Sequence, residues 1–257
     1  MSVRIYAIAQ IAVVAGDIKA NVQKHLRFMH QAARHGAQFL LFPELSLTGY
    51  EPSLARALAI NPSDDRLEPL RDLAIQSAML TVVGAPVKGA NAQDILIAAL
   101  IFDGHRRVGC YTKRHLHPGE EAIFTAGDGG VLLSINHDQI ALAVCADFNQ
   151  PIHVQEAVQA GADVYAASVL ISRNGYVADC EVLAGYAREH KMVVMMANHG
   201  GPTGGWQSAG ASVIWGTDGE QIAVVEGEGD RLLIATCRDG NWAAYIEPLT
   251  DEWCRDD

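Results

Sequence analysis

Three residues with complementary chemistry each stand at the end of a stretch that the sequence predicts to be a β-strand: Glu44, Lys113 and Cys145. Folds of alternating strands and helices commonly place their ligand sites at strand ends, so we expect the three side chains to lie together. A thiol is a weak nucleophile until a base removes its proton or a cation stabilises the thiolate. The set therefore predicts nucleophilic catalysis by Cys145, with Glu44 as the base and Lys113 as the cation.

The elements that must position these residues form an alternating series. Apolar, β-branched runs bounded by turn residues predict strands at 3–14, 38–42, 81–87, 95–102, 107–112, 131–135, 140–144, 163–168, 193–197, 209–215, 221–225 and 232–236. Apolar residues at three- to four-residue spacing predict helices from 18 to about 33, after 61–63 to about 79, at 151–160 and at 176–190. The interleaving predicts an α/β domain over 1–257, with a mixed sheet and enough strands for two packed sheets.

Composition excludes several classes of partner. The formal net charge of -11 opposes binding to phosphate backbones and anionic lipid, so neither nucleic acid nor membrane is an expected partner. No apolar stretch approaches the roughly 20 residues of a membrane span, and the first residues lack a signal-peptide pattern. We expect a cytoplasmic protein. Five cysteines, an odd number spread along the chain, make a disulfide framework an unlikely interpretation.

Taken singly, the three residues have plainer interpretations: a buried thiol, a helix cap and a surface cation. Their local motifs decide otherwise, because the chain resembles the nitrilase superfamily of carbon–nitrogen hydrolases in three blocks that occur in the family's order. The blocks are Phe42 to Tyr50 (FPELSLTGY), Tyr111 to Leu116 (YTKRHL) and Val144 to Asp147 (VCAD). Shorter similarities at 124–128, 161–163 and 210–212 extend the resemblance over essentially the whole chain.

The resemblance implies a fold, a catalytic set and a reaction. It implies a four-layer α-β-β-α sandwich, a Glu44, Lys113 and Cys145 triad, and a second glutamate four positions before Phe124, which selects Glu120 over Glu121. The implied reaction is hydrolysis of an amide through a cysteine thioester, with no metal or organic cofactor. The family also implies a homodimer or a higher homo-oligomer.

The residues after the nucleophile indicate the kind of substrate. Cys145-Ala146-Asp147 resembles the amidases of the family rather than its true nitrilases, which carry tryptophan and glutamate there. Ala146 replaces a common aromatic residue and is expected to widen the pocket, and no arginine follows to hold a substrate carboxylate. A small neutral or cationic amide is therefore favoured. The expected pocket residues are Tyr50, Ala146, Phe148, Asn149 and Ser168.

Three alternative functions stay open at this point. The chain is also compatible with a glutaminase-like subunit that supplies ammonia to a partner, with a true nitrilase, and with a non-catalytic scaffold, although a scaffold would be expected to lose the triad. His115 and His117 suggest a metal site, but no further ligands stand at a recognisable spacing. The glycine-rich run at 200–205 lacks the ending of a phosphate-binding loop, and we expect it to form a flexible loop near the site entrance.

Overall fold

The computed structural model describes residues 3–91, 93–104 and 108–249, which form thirteen strands and five α-helices. The strands are β1 (Arg4–Gln10), β2 (Phe39–Leu41), β3 (Leu80–Lys88), β4 (Ile95–Phe102), β5 (Val108–Thr112), β6 (Leu133–Ile135), β7 (Asp138–Val144), β8 (Val164–Ser168), β9 (Val193–Ala197), β10 (Val213–Trp215), β11 (Gln221–Val224), β12 (Arg231–Arg238) and β13 (Asn241–Pro248). The helices are α1 (Ile18–Arg34), α2 (Ala55–Leu58), α3 (Glu68–Ser77), α4 (Pro151–Gln159) and α5 (Tyr176–His190).

The strands form two mixed sheets. The first has the order β13-β12-β1-β2-β3-β4-β5, and the second has the order β11-β10-β9-β8-β7-β6. In the first sheet β2 runs parallel to β1 and β3, and antiparallel steps to β4 and β5 bring β5 back to the direction of β2. The chain therefore leaves β2 and β5 at the same edge of this sheet, which is where Glu44 and Lys113 follow.

The layering follows from the two-residue alternation of the strands, since successive side chains face opposite sides of a sheet. In β1, Tyr6 and Ile8 face a core shared with Ile140 and Leu142 of β7, so this core lies between the sheets. The intervening Ala7 and Ala9 pack with Val22, Phe28 and Met29 of α1, and with Leu70 and Leu73 of α3. Ala141 and Ala143 of β7 pack with Val154 of α4 and with Leu183 and Ala187 of α5. The predicted four-layer α-β-β-α sandwich is confirmed.

Polar contacts also join the sheets across this core. The Tyr6 hydroxyl of the first sheet donates to Asp138 of the second at 2.6 Å. The Ser168 hydroxyl at the end of β8 donates to the Phe42 carbonyl at 2.8 Å. Because both pairs are buried, leaving either group unpaired would cost about 1–3 kcal/mol.

Several predicted element boundaries were wrong, for local reasons. β1 ends at Gln10 rather than residue 14, because the Ile11 carbonyl accepts from Gly200 and the Ala12 N–H donates to Asp230. β10 begins at Val213 rather than residue 209, because Ala211 has φ 48°, which a strand cannot accommodate. The helix predicted after 61–63 begins as a single turn at 65–67 and continues as α3 only from Glu68.

Two elements were not predicted at all. α2 is a single four-residue turn of helix with too short a pattern to recognise. β13 pairs with β12 along eight residues, and its hairpin turn is made by Asp239 and Gly240, both with positive φ. That dipeptide is a strong hairpin signal, so the second strand could have been found from it. The predicted turn after Asp103-Gly104 continues into 105–107, which lie outside the described residues.

Candidate active site

Glu44 lies in a tight turn after β2 that is packed against β3. The next residue, Leu45, has φ 51°, and the Leu47 N–H donates to the Gly84 carbonyl at 2.9 Å. A Cβ on Gly84 would lie 2.2 Å from the Leu45 nitrogen and 2.5 Å from the Pro43 carbonyl oxygen. Only glycine therefore lets the turn approach β3 so closely.

Two buried histidines hold this turn. His199 Nε2 lies 2.7 Å from the Glu44 carbonyl oxygen, and since a carbonyl can only accept, Nε2 carries the proton. In the same way His25 Nδ1 donates to the Asn21 carbonyl, which leaves its Nε2 to accept from the Ser46 hydroxyl at 2.9 Å. Burial lowers the pKa of His25 to about 3 and that of His199 to about 4. Both rings are therefore neutral at pH 7 and act as fixed hydrogen-bonding supports.

Lys113 follows β5 directly and points into the protein. Its backbone is fixed by hydrogen bonds with Ile97 and Gly127, at 2.8 Å and 2.7 Å. Its Nζ lies 2.7 Å from Glu44 Oε1 and 2.8 Å from Glu120 Oε1, and its side chain has no exposed surface. An ammonium group has three protons, so one N–H is left after these two contacts.

Glu120, and not its neighbour, joins the charged cluster. Its Oε1 also accepts from the Tyr50 hydroxyl at 2.8 Å, and its Oε2 accepts from the His117 backbone N–H at 2.8 Å. Glu121 is exposed and accepts from the Gly119 N–H. The geometry therefore distinguishes the two adjacent glutamates. The one-turn helix at 120–122 directs only the Glu120 side chain into the protein.

Cys145 lies where the chain leaves β7 and enters a one-turn helix at 145–147. Its φ is 44°, a left-handed conformation that is strained for a residue with a side chain and that is typical of functional positions. The thiol is half-buried, and its Sγ lies 3.8 Å from the Leu170 carbonyl oxygen. The strain is held by the hydrogen bonds of the following turn.

The side chain of Asp147 anchors this turn. Its Oδ2 accepts from the Val144 N–H at 3.0 Å and from the Tyr111 hydroxyl at 2.7 Å. Its Oδ1 accepts from the backbone N–H groups of Arg114 and His115 at 3.0 Å and 2.8 Å. One fully buried carboxylate therefore connects the turn that carries Cys145 to the segment that follows Lys113.

The charges of the cluster determine its protonation. Burial raises the pKa of Glu44 to about 7, with Lys113 opposing the rise and Glu120 adding to it. Burial opposes the charge on Lys113, but Glu44, Cys145 and Glu120 outweigh it and raise its pKa. Burial, followed by Glu44, raises the pKa of the Cys145 thiol. The resting state thus holds a charged lysine, a thiol and a carboxyl group whose pKa suits proton transfer near neutrality.

The second oxygen of Glu44 is left for the thiol. Glu44 Oε2 is buried and has no hydrogen-bond partner among the described side chains, whereas Oε1 is held by Lys113. The Cys145 thiol is near enough to Glu44 to lower the pKa of its carboxyl group. The unpaired oxygen is therefore available to accept the thiol proton.

A cavity of about 190 Å³ opens above the cluster. Glu44, Glu120 and Cys145 form its base, and the predicted pocket residues Tyr50, Phe148 and Asn149 line it. Its volume is below the ~300–1,000 Å³ of pockets for drug-sized ligands, which indicates a small substrate. Larger cavities of about 580 Å³ and 370 Å³ lie elsewhere on the surface and contain none of these residues.

Two of the expected pocket residues lie elsewhere. Ser168 is 2% exposed and its hydroxyl is used by the Phe42 carbonyl, so it joins the sheets instead of facing the cavity. The Ala146 side chain is buried in the turn after Cys145 and does not line the cavity. Sequence spacing could not show this, because the direction of each side chain depends on the turn that carries it.

Other lining residues were not predicted from the sequence. They come from the segments after β5 and β8, from α5 and from the loop after β9, and they are His117, Leu170, Ile171, Ser172, Gly175, Asp179 and Trp206. Trp206 directly follows the glycine-rich run at 200–205 that was expected near the entrance, and that run offered the one usable signal. Gly204 packs tightly here, since a Cβ on it would lie 1.9 Å from the Tyr50 carbonyl oxygen.

The two histidines that suggested a metal site have separate surroundings. His115 contacts Asp147 at 3.1 Å, whereas His117 lines the cavity. Among the described residues no group of three histidine, cysteine or carboxylate side chains is arranged to hold a metal ion. Across the same part of the chain, no helix is both long and apolar enough to span a membrane.

Fold and site together define a class of hydrolase, and comparison with known proteins agrees. The family model described as carbon-nitrogen hydrolase matches residues 5–247. The chain therefore belongs to the carbon–nitrogen hydrolase family, and its resemblance to the nitrilase superfamily is confirmed.

Individual relatives are distant but cover much of the chain. It is 28% identical over 227 residues to the "hydrolase in pqqF 5'region" of Pseudomonas protegens, which is 86% of this chain and 78% of that protein. It is 29% identical over 153 residues to a nitrilase of Pyrococcus abyssi, which is 57% of each protein.

The solved structures that match include an amidase. The amidase from Nesterenkonia sp. AN1, as a double mutant in complex with acrylamide, has a TM-score of 0.83 and 27% identity, covering 93% of this chain and 92% of that chain. Another structure of that amidase shows the acetamide moiety of fluoroacetamide added covalently at its active-site cysteine.

Proposed function

We propose that this protein hydrolyses the non-peptide carbon–nitrogen bond of a small amide through a thioester on Cys145. The observation that carries the proposal is the buried set of Glu44, Lys113 and Glu120, joined by contacts of 2.7 Å and 2.8 Å at the base of a small cavity that also exposes the thiol. Burying two carboxylates and a cation carries a desolvation penalty, which favours a functional reason for the arrangement.

The first half of the reaction forms the thioester. Glu44 Oε2 takes the thiol proton, and the sulfur of Cys145 attacks the amide carbon. The negative charge that develops on the carbonyl oxygen is stabilised by the remaining N–H of Lys113 and by the backbone N–H of Ala146. The carbon–nitrogen bond then breaks, and Glu44 returns its proton to the nitrogen, which leaves as ammonia.

The second half consumes water. Glu44 or Glu120 removes a proton from a water molecule, and the resulting oxygen nucleophile attacks the thioester carbon. The carbon–sulfur bond breaks, the acid leaves, and the proton returns to the sulfur. Each step uses protein side chains and water, so the scheme needs no metal or organic cofactor.

The choice of an amide over a nitrile rests on two observations. Asp147 follows Ala146 after the nucleophile, as in the amidase branch that the sequence resembles. The amidase from Nesterenkonia sp. AN1 is similar in structure over 93% of this chain. The omega-amidase, aliphatic amidase and carbamoyl-amide types all fall within the proposal.

Mass spectrometry of the trapped enzyme tests the chemistry. The protein is mixed briefly with a panel of small amides and nitriles, denatured, and weighed intact and after digestion. We expect an acyl adduct on Cys145, one equivalent of ammonia per acid formed, and loss of both in Cys145→Ala. Cys110→Ala, which removes a thiol outside the cavity, is the matched control and should retain both. An adduct that persists in Cys145→Ala would refute the assignment.

The same panel separates the alternatives. Faster turnover of nitriles than of the matching amides would indicate a nitrilase, and turnover of glutamine alone would indicate an ammonia-supplying subunit. A protein that neither acylates nor releases ammonia would be a scaffold. Light scattering tests the expected homodimer.

A further inference from the structure

The wall of the candidate active-site cavity is unusual in the sign of its charge. Its acidic side chains are Glu44, Glu120 and Asp179, and among the described residues no lysine or arginine lines it. Lys113 is enclosed between the first two carboxylates and is fully buried. The cavity therefore presents a net negative field to any substrate.

Asp179 is the carboxylate of this wall that lies apart from the cluster of Glu44, Lys113 and Glu120. It lies in the first turn of α5, and its backbone N–H donates to Gly175 at 3.0 Å. Its carboxylate is half-buried and, within the described part of the chain, makes no hydrogen bond and no ion pair. Burial raises the pKa of Asp179, and the nearby His117 opposes the rise. A ligand that brings a positive charge would supply the missing partner.

The surfaces around Asp179 suit an alkyl chain that ends in such a charge. Phe148, Leu170 and Ile171 are apolar and line the same cavity as Cys145. Trp206 also lines it, with its indole 46% exposed and its ring 6.3 Å from that of His117. A carboxylate and an exposed indole in the same cavity are groups that bind alkylammonium ions, through an ion pair and a cation–π contact.

We propose that Asp179, with Trp206, selects small amides whose far end carries an ammonium group, so that the preferred substrates are amides of ω-amino acids. The inference rests on the proposed amide hydrolysis and names the substrate class for it. Its products are ammonia and the ω-amino acid. The formal net charge of -11 acts in the same direction, since it attracts cationic and repels anionic substrates at long range.

Matched substrates test the charge preference directly. The kcat/KM values of β-alaninamide, 4-aminobutyramide and 5-aminovaleramide are compared with those of butyramide, valeramide and hexanamide, in which a methyl group replaces the ammonium group. Succinamate and glutaramate supply an anionic end. We expect at least one ammonium substrate to exceed its methyl counterpart by about tenfold or more, and the anionic pair to be the poorest.

Variants assign the preference to Asp179. Asp179→Asn should abolish the advantage of the ammonium substrates over their methyl counterparts, measured as the ratio of their kcat/KM values, and Asp179→Lys should favour the anionic pair. Glu181→Gln, on an exposed position of the same helix, should change none of these ratios. Binding of 4-aminobutyramide and valeramide to Cys145→Ser, measured by calorimetry, reports the same preference without turnover.

Failure of this inference is distinguishable from failure of the proposed function. Turnover of the methyl series with equal or poorer turnover of the ammonium series would overturn the role of Asp179 and leave amide hydrolysis intact. An equal loss on all substrates in Asp179→Asn would show a structural role only. Absence of any amide turnover and of any Cys145 adduct would overturn both.

Discussion

Replacing Lys113 by methionine should destabilise the protein as well as inactivate it. Its Nζ contacts Glu44 at 2.7 Å and Glu120 at 2.8 Å, and the three side chains are 0%, 0% and 3% exposed. Methionine is similar in length but uncharged, so it leaves two carboxylates facing each other away from water. Removing one partner of a buried ion pair typically costs about 3–5 kcal/mol. We expect a loss of that size in the free energy of unfolding at pH 8.

The loss should depend on pH with a definite sign. In the native protein the pKa of Glu44 is raised to about 7, and removal of the neighbouring cation raises it further. Above pH 7 the folded variant therefore keeps a proton that the folded wild type has released. The loss in the free energy of unfolding, relative to the wild type, should therefore shrink by about 1.4 kcal/mol between pH 8 and pH 7. Below pH 7 it should change little.

Urea unfolding at pH 6, 7 and 8 measures this deficit. Arg66→Met is the matched control, because Arg66 pairs with Asp64 at 2.8 Å but its side chain is 53% exposed. Exposed pairs contribute about 0–1 kcal/mol, so the control should lose no more than that. A Lys113→Met protein that loses less than the control, or whose deficit is the same at pH 6 and 8, would refute the description of the cluster as a buried, mutually dependent set of charges.

Three further substitutions test the supports of the site. Gly84→Ala should lower the free energy of unfolding by about 1–3 kcal/mol, and kcat with it, because the new Cβ would lie 2.2 Å from the Leu45 nitrogen. Asp147→Asn should cost about 1–3 kcal/mol and reduce kcat more than tenfold, because an amide directs its NH₂ group at donors on one side. His25→Gln should flatten the loss of stability on acidification. The neutral ring of His25 contributes stability above pH 6.5 that is lost as the pH falls, by about 2 kcal/mol between pH 6.5 and 5.

The first two of these substitutions have matched controls, and the third is compared with the wild type. Gly185→Ala adds a Cβ with nothing within 4 Å in α5 and should be neutral or stabilising, so equal losses at both glycines would contradict the argument from close approach. Asp218→Asn, at an exposed turn, should leave kcat unchanged. An Asp147→Asn enzyme with wild-type kcat would show that the turn carrying Cys145 does not depend on the Asp147 carboxylate. Identical pH slopes for wild type and His25→Gln would mean that the ring is not held neutral.

The sequence predicted the parts of the site that local motifs carry. Glu44, Lys113 and Cys145 each follow a strand, and the structure brings the glutamate and the thiol to one cavity, with the lysine buried against the glutamate. The layered fold was predictable for a similar reason, because alternation along the strands and the spacing within α1 and α5 are local signals. The preference for Glu120 over Glu121 came from the resemblance alone, since no local pattern distinguishes adjacent glutamates.

The remaining parts depend on contacts between segments that are distant in sequence. Ser168 looked like a pocket residue at the end of a strand, but its hydroxyl meets a carbonyl 126 residues away. Asp179 and Trp206 reach the cavity because α5 and the loop after β9 fold over it, and neither position has a sequence signal of its own. The neutral histidines that hold Glu44 were likewise invisible, because burial determines their charge.

The separation of the site between two sheets has a consequence for how activity appears during refolding. Glu44 and Lys113 belong to the first sheet and Cys145 to the second, so neither sheet alone contains both the base and the nucleophile. A chain that has formed both sheets but has not yet closed the core between them is inactive, however complete its backbone hydrogen bonding. Recovery of turnover after dilution from denaturant therefore measures the docking of the two sheets. We expect it to follow the recovery of the circular dichroism signal, which reports the strands and helices.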